Sequence, residues 1–184
     1  MSHRSVLREI AETQHGYVTT RDAGALGVPA VELRKLTSRG ALKNVARGLY
    51  RFPDIRRDAT DAFAEAVLRV GPDAHLDCES VLALLDLALV EPSRIIVATP
   101  HRVRLADPAF VNVIQRRLPV EEITEYDGIR ATRVWRALIE AQATVMTVRL
   151  QDALAEARRR DLVTPLEARR VRRALQRAPG RDTA

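Results

Sequence analysis

The chain has 184 residues, 46% of them hydrophobic and only 4% aromatic, with a formal charge of +6. That length leaves room for two compact units with aliphatic cores, and the lone Cys78 excludes an intramolecular disulfide framework and a cysteine-based zinc site. No apolar run approaches membrane-spanning length, and Met1-Ser2-His3-Arg4 leads into an amphipathic helix rather than a secretory leader, so a cytoplasmic protein is expected.

In chain order, Val6, Leu7 and Ile10 keep helical spacing and predict a first helix with one apolar stripe. Tyr17-Val18-Thr19 is short and β-prone. Thr20 before Arg21-Asp22 suits a helix N-cap, Gly27 ends that helix, and Pro29 suits the first turn of the next. In the third helix Leu33 and Leu36 are taken as buried. A turn of about 100° per residue then puts Val31, Arg34, Lys35 and Ser38 on the opposite face. Gly40 stops this helix. Leu42, Val45, Leu49 and Phe52, interspersed with polar residues around Arg47-Gly48, predict a hairpin with a tight turn.

This order predicts a winged helix-turn-helix over residues 1–53. Arg34, Lys35 and Ser38, with Val31 beside them, are placed to meet base edges in a major groove. Thr20 and Arg21 open the second helix, and Lys43, Arg47 and Arg51 are placed to meet flanking phosphates. The competing reading is a winged helix that touches only protein and whose basic face is solvated.

Pro53-Asp54-Ile55-Arg56-Arg57 reads as a connector, so residues 54–184 are expected to form a second, mixed α+β domain ending in helices. Its predicted pieces are helices over 58–70 and 81–89 and strands over 94–99 and 110–118. A hairpin follows, with strands over 123–126 and 129–132 joined by Asp127-Gly128. A helix over 135–145 precedes a helical pair over 150–160 and 165–177. Thr164-Pro165-Leu166-Glu167 has the form of a capping box. Residues after Pro179 are expected to be a frayed tail.

Charge divides the chain differently. Residues 1–53 hold 9 Lys/Arg against 4 Asp/Glu, residues 54–147 hold 11 against 15, and residues 148–184 hold 10 against 5. The first basic block coincides with the winged-helix pattern, so phosphate is its expected partner, whereas the acidic middle suits a basic protein. The arginines at 158–160, 169–170 and 172–173 fit either the wet faces of two amphipathic helices or a second contact with DNA or an acidic partner.

Nothing in this pattern predicts catalysis. No lysine lies beyond Lys43, which removes Schiff-base chemistry and carboxylate–lysine nucleases from most of the chain. Ser80 lacks a nucleophile elbow, and there is no Gly-rich phosphate cradle. Cys78 between Asp77 and Glu79 suits a small buried hydrophobe better than a thiolate. His75 and His101 read as isolated loop or structural histidines. Glu79 and Asp86 would share a helical face and so suit a divalent ion, although surface helices carry such pairs routinely. No cofactor, no metal and no enzyme activity is expected.

The order of pieces resembles the AbiEi-type antitoxins of bacterial, type IV-like toxin–antitoxin systems, including their actinobacterial relatives. The similar elements are Gly16-Tyr17-Val18-Thr19-Thr20 with Arg21-Asp22-Ala23, Leu33-Arg34-Lys35-Leu36 with Arg39-Gly40, and Leu42 through Val45-Ala46-Arg47-Gly48-Leu49-Tyr50-Arg51. Softer likenesses follow at Ser80-Val81-Leu82-Ala83-Leu84-Leu85, at Pro92-Ser93-Arg94-Ile95 and at Asp127-Gly128-Ile129-Arg130-Ala131-Thr132. The likeness spans roughly residues 5–160. One departure stands out: where many relatives read Thr-x-x-Arg-Thr, this chain has Thr132-Arg133-Val134-Trp135-Arg136-Ala137, without the second threonine.

The resemblance implies an antitoxin and transcriptional repressor. Its winged domain would bind inverted repeats in its own promoter, where more than one copy has room to bind. Its second domain would counter a nucleotidyltransferase-like toxin, directly or functionally. Two alternatives remain at this point: a stand-alone transcriptional regulator with a ligand-sensing second domain, and a pure protein-binding module.

Overall fold

The computed structural model describes residues 2–106 and 110–177, and the expected tail after Pro179 lies outside them. The chain divides into two compact units, Met1–Pro72 and Asp73–Ala184. No helix among the described residues is long and apolar enough to cross a membrane.

The first unit runs α1 (His3–Thr13), β1 (Tyr17–Thr19), α2 (Thr20–Ala25), α3 (Ala30–Ser38), β2 (Lys43–Ala46), β3 (Leu49–Arg51) and α4 (Asp61–Val70). Its strands form one antiparallel sheet in the order β1-β3-β2. Helix α1 buries Leu7 and Ala11, with Val6 and Ile10 partly covered on either flank. Leu7 and Ala11 join Val18, Ala23, Val28, Leu33, Leu42 and Phe52 in one core. Each large apolar side chain so buried contributes about 1.5–3 kcal/mol.

The helix ends differ slightly from expectation. The cap of α2 is Thr19, not Thr20. Its hydroxyl accepts from the Asp22 amide at 3.1 Å, while the Asp22 carboxylate accepts from the Thr19 amide at 2.7 Å. Pro29 is the N-cap of α3 rather than a residue of its first turn. Gly40, at φ 74°, takes the left-handed turn that closes α3, and its amide donates to Thr37.

Helix α4 belongs to the first unit, so the unit extends beyond the expected boundary at Pro53. Three contacts hold it: the Tyr17 hydroxyl donates to Glu65 at 2.7 Å, Arg51 pairs with Asp61 at 2.9 Å, and Arg69 donates to the Val45 carbonyl at 3.3 Å. Residues 53–57 are thus a bend within the unit. Asp58 precedes the helix and accepts from the amides of Thr60 and Asp61, which delays the start of α4 to Asp61.

The second unit contains β4 (His75–Leu76), α5 (Glu79–Leu84), β5 (Ile95–Thr99), β6 (Val111–Gln115), β7 (Ile123–Tyr126), β8 (Ile129–Thr132), α6 (Val134–Glu140), α7 (Thr147–Arg159) and α8 (Pro165–Arg177). The mixed sheet has the order β6-β5-β4-β8-β7, parallel at β5/β6 and β4/β8 and antiparallel elsewhere. Leu76, Val97 and Ala131 stand side by side across its centre and are fully buried. Helix α5 packs on β5 and on α6, and α6 in turn meets α7 and α8.

The Asp127-Gly128 hairpin forms as expected, both turn residues having positive φ. The capping box at α8 also forms, with Thr164 and Glu167 exchanging hydrogen bonds at 2.7 and 3.2 Å. Helix α5 is shorter than predicted, ending at Leu84, because Asp86, Ala88 and Leu89 all adopt positive φ. Asp86 therefore lies off the helix and shares no helical face with Glu79, which corrects the paired-carboxylate expectation. Glu79 instead accepts from the Thr144 hydroxyl at 3.1 Å.

Candidate nucleic-acid interface

Helix α3 is amphipathic in the sense its sequence requires. Leu33 is fully buried, Leu36 and Thr37 are partly covered, and Val31, Arg34, Lys35 and Ser38 are all exposed. Arg34 forms no hydrogen bond or ion pair among the described residues, so its fork of donors faces solvent. Lys35 is less free, since its ammonium sits 2.8 Å from Glu32 on the same helix. That hydrogen bond holds the Glu32 carboxyl below its ordinary pKa. Ser38 donates to the Lys35 carbonyl at 2.9 Å and keeps its lone pairs outward. Val31 is 45% exposed, an apolar contact of the kind a thymine methyl matches.

The hairpin turn stands beside the start of α2. Gly48 has φ 72°, and its carbonyl accepts both the Thr20 amide at 2.9 Å and the Thr20 hydroxyl at 3.0 Å. A Cβ on Gly48 would lie 2.6 Å from that hydroxyl. Thr20 is thus exposed but engaged, fixing the β2–β3 turn against α2 rather than offering its hydroxyl to a ligand. Arg47 at the turn, Lys43 on β2 and Arg21 in the first turn of α2 are exposed and form no ion pair among the described residues. A β-bulge between Asn44 and Ala46 bends β2 just before Arg47.

Arg51 corrects the sequence expectation. It is 3% exposed, pairs with Asp61 at 2.9 Å, donates to the Phe52 carbonyl at 3.1 Å and stacks on the Tyr17 ring at 5.5 Å. A guanidinium held this way reaches no phosphate; it fastens α4 to the sheet. Nearby, the His15 imidazole and the carboxylates of Asp58 and Asp61 converge as metal ligands would. Asp61 is already neutralised by Arg51, and Asp58 accepts three hydrogen bonds from Thr60 and Asp61. The Thr60 hydroxyl is the main reason the Asp58 carboxyl titrates below its usual range. These groups are committed to the start of α4.

Sequence reasoning did not single out Arg39 at the end of α3, or Arg56 and Arg57 after the sheet, all exposed. For Arg39 the first basic block offered the signal, but the helical phase ends at Ser38; Arg56 and Arg57 lie beyond that block, in the stretch read as a connector.

The order α1-β1-α2-α3-β2-β3, with an outward third helix and a basic hairpin, defines the first unit as a winged helix-turn-helix. Residues 5–53 match the family described as "Transcriptional regulator, AbiEi antitoxin", so this segment is similar to the regulator domain of that family. No curated protein matches the chain.

In the second unit Asp77 and Glu140 are engaged by Arg116. Asp77 is fully buried, accepting from Arg116 at 2.9 Å, from the Cys78 amide at 2.8 Å and from the Thr132 hydroxyl at 3.3 Å. Arg116 also pairs with Glu140 at 3.2 Å. Ser80 accepts from the Ile96 amide at 2.7 Å and is buried. Burial, helped by Asp77, pushes the Cys78 thiol up to about 12. The thiol therefore stays protonated at neutral pH. Ala137 is fully buried in α6.

Proposed function

We propose that the protein is an antitoxin that represses its own operon and counters a nucleotidyltransferase-like toxin encoded beside it. Helix α3 enters the major groove with Arg34 as the principal base-reading side chain, and Val31, Lys35 and Ser38 around it. Arg47, Lys43 and Arg21 meet phosphates on either side, and repeats in the promoter seat more than one copy. The observation that carries this reading is the pairing of an unengaged Arg34 on α3 with a basic turn locked to α2, inside the segment that matches the AbiEi regulator family. The second unit, rich in internal carboxylate–arginine pairs, is assigned the toxin-facing role.

The test is binding to the DNA immediately upstream of the gene, over a range of salt and with scrambled competitor. Arg34→Ala is expected to weaken specific binding by about 1–3 kcal/mol with little change on scrambled DNA, whereas Arg47→Ala weakens both alike. Equal loss on both DNAs for Arg34→Ala would remove α3 as the reading element. Co-expression with the neighbouring gene tests the antitoxin half; growth arrest that this chain fails to relieve would refute it.

A further inference from the structure

Strands β6 and β7 are consecutive in sequence but form opposite edges of the five-stranded sheet, so the chain between them must cross a sheet face. That crossing supplies Arg116, Arg117, Leu118 and Val120 to the wall of a cavity of about 320 Å³. The sheet supplies His75 from the central strand β4 and Arg130 from its neighbour β8. Register explains why these two meet. Leu76 pairs with Ala131 and both are fully buried, so His75 and Arg130, one residue back on each parallel strand, share the opposite face. His101, just past β5, completes the rim, where it pairs with Asp73 at 3.3 Å.

The imidazole of His75 is the unusual member. It is 1% exposed, and neither ring nitrogen makes a well-formed hydrogen bond among the described residues, the Asp73 backbone being the one polar main-chain neighbour that acts on the ring. Native interiors rarely leave such a group unsatisfied without a reason. Burial pushes its pKa below the usual 6.5, so at neutral pH it offers one donor and one acceptor. Three arginines line the same space. Arg116 is already tied to Asp77 and Glu140, while Arg117 is exposed and forms no ion pair among the described residues.

We propose that this cavity is a binding site for a small phosphorylated compound, with Arg117 and Arg130 receiving the phosphate and His75 hydrogen-bonding a hydroxyl of the organic part. Arginine forks match phosphate oxygens in geometry as well as charge. The volume lies at the small end of ligand pockets, which suits a sugar-phosphate-sized molecule and not a polymer. The site lies wholly in the second unit and is independent of DNA binding by the first. It also gives the regulator reading with a ligand-sensing second domain a place for its ligand.

The experiment is imidazole-detected NMR of the ¹⁵N-labelled full chain, titrated with ribose 5-phosphate and, separately, with inorganic phosphate. Ribose 5-phosphate is expected to shift the His75 nitrogens and saturate, with inorganic phosphate binding roughly tenfold more weakly for want of the hydroxyl contact. Arg117→Glu, at an exposed position, should leave the thermal midpoint in place and weaken ribose 5-phosphate by at least about tenfold. A His75 signal unmoved by ribose 5-phosphate overturns the site. Unchanged affinity in Arg117→Glu overturns the phosphate assignment, and equal affinity for the two probes overturns the role given to His75.

Discussion

Arg34 and Arg51 are the same residue type in the same basic block, and their surroundings give them opposite work. Arg34 stands on an outward helix face with no partner among the described residues, whereas Arg51 is sealed beneath α4 against Asp61. Removing one member of a buried pair strands the other charge, so Arg51→Ala is expected to lower unfolding stability by about 3–5 kcal/mol. Urea unfolding checks the magnitude, and replacing both partners with apolar residues should recover much of the loss. A stable Arg51→Ala protein that loses only DNA affinity would return Arg51 to the phosphate-contacting set. The sequence already held the signal that separates the two arginines. Leu49 points inward on β3, and a strand period of two sends Arg51 the same way. Its partner Asp61 was not legible, because nothing local ties a strand residue to the start of a helix ten positions on. His75 and His101 were illegible for the same reason, since only the sheet order brings them to one cavity.

Among the elements, the hairpin of the winged unit shows how a turn is held to a helix. Gly48 is needed twice over, for its positive φ and because a Cβ would meet the Thr20 hydroxyl at 2.6 Å. The left-handed turn costs an L-residue about 1–2 kcal/mol, and displacing the Thr20 hydroxyl adds about 1 kcal/mol more. Gly48→Ala is therefore expected to destabilise the unit by about 2–3 kcal/mol and to weaken phosphate contact by Arg47. Thermal unfolding of Gly48→Ala, Thr20→Ala and the double variant checks this: the two losses should add to less than their sum, because both break the same contact. Strict additivity would mean that the turn is not held by Thr20. Elements with a chemical punctuation mark were readable in advance: the Asp127-Gly128 turn, the Thr164/Glu167 box and Gly40. Those without one were not. Strand β4 has only two residues and so shows no alternation. The early end of α5 rests on positive φ at Ala88 and Leu89, which their side chains do not announce.

At the scale of the whole chain, the order of helix, strand and turn signals located the winged segment, and the expected edge at Pro53 falls short of the compact unit that ends at Pro72. The connector signal at Pro53 is real as a bend, since the proline and the charges after it interrupt both helix and strand patterns. It fails as a boundary because α4 folds back through tertiary contacts that a linear pattern does not carry: Tyr17 to Glu65, Arg51 to Asp61 and Arg69 to Val45. If those contacts complete the unit, a fragment of residues 1–72 should unfold cooperatively and retain specific promoter binding. A fragment of residues 1–53 loses Asp61 and Glu65, leaving Arg51 and the Tyr17 hydroxyl without their partners. It also loses the packing of Ala64, Ala66, Val67 and Val70, so it is expected to melt well below the longer fragment. Circular dichroism melts of the two fragments, with promoter binding measured on each, decide the matter. Equal melting and equal DNA affinity would place α4 outside the regulator unit, and the early boundary would stand. Cooperative melting and promoter binding by residues 1–72 alone would make α4 an integral strut of the DNA-binding half, and would leave the sheet unit to be tested separately for toxin contact.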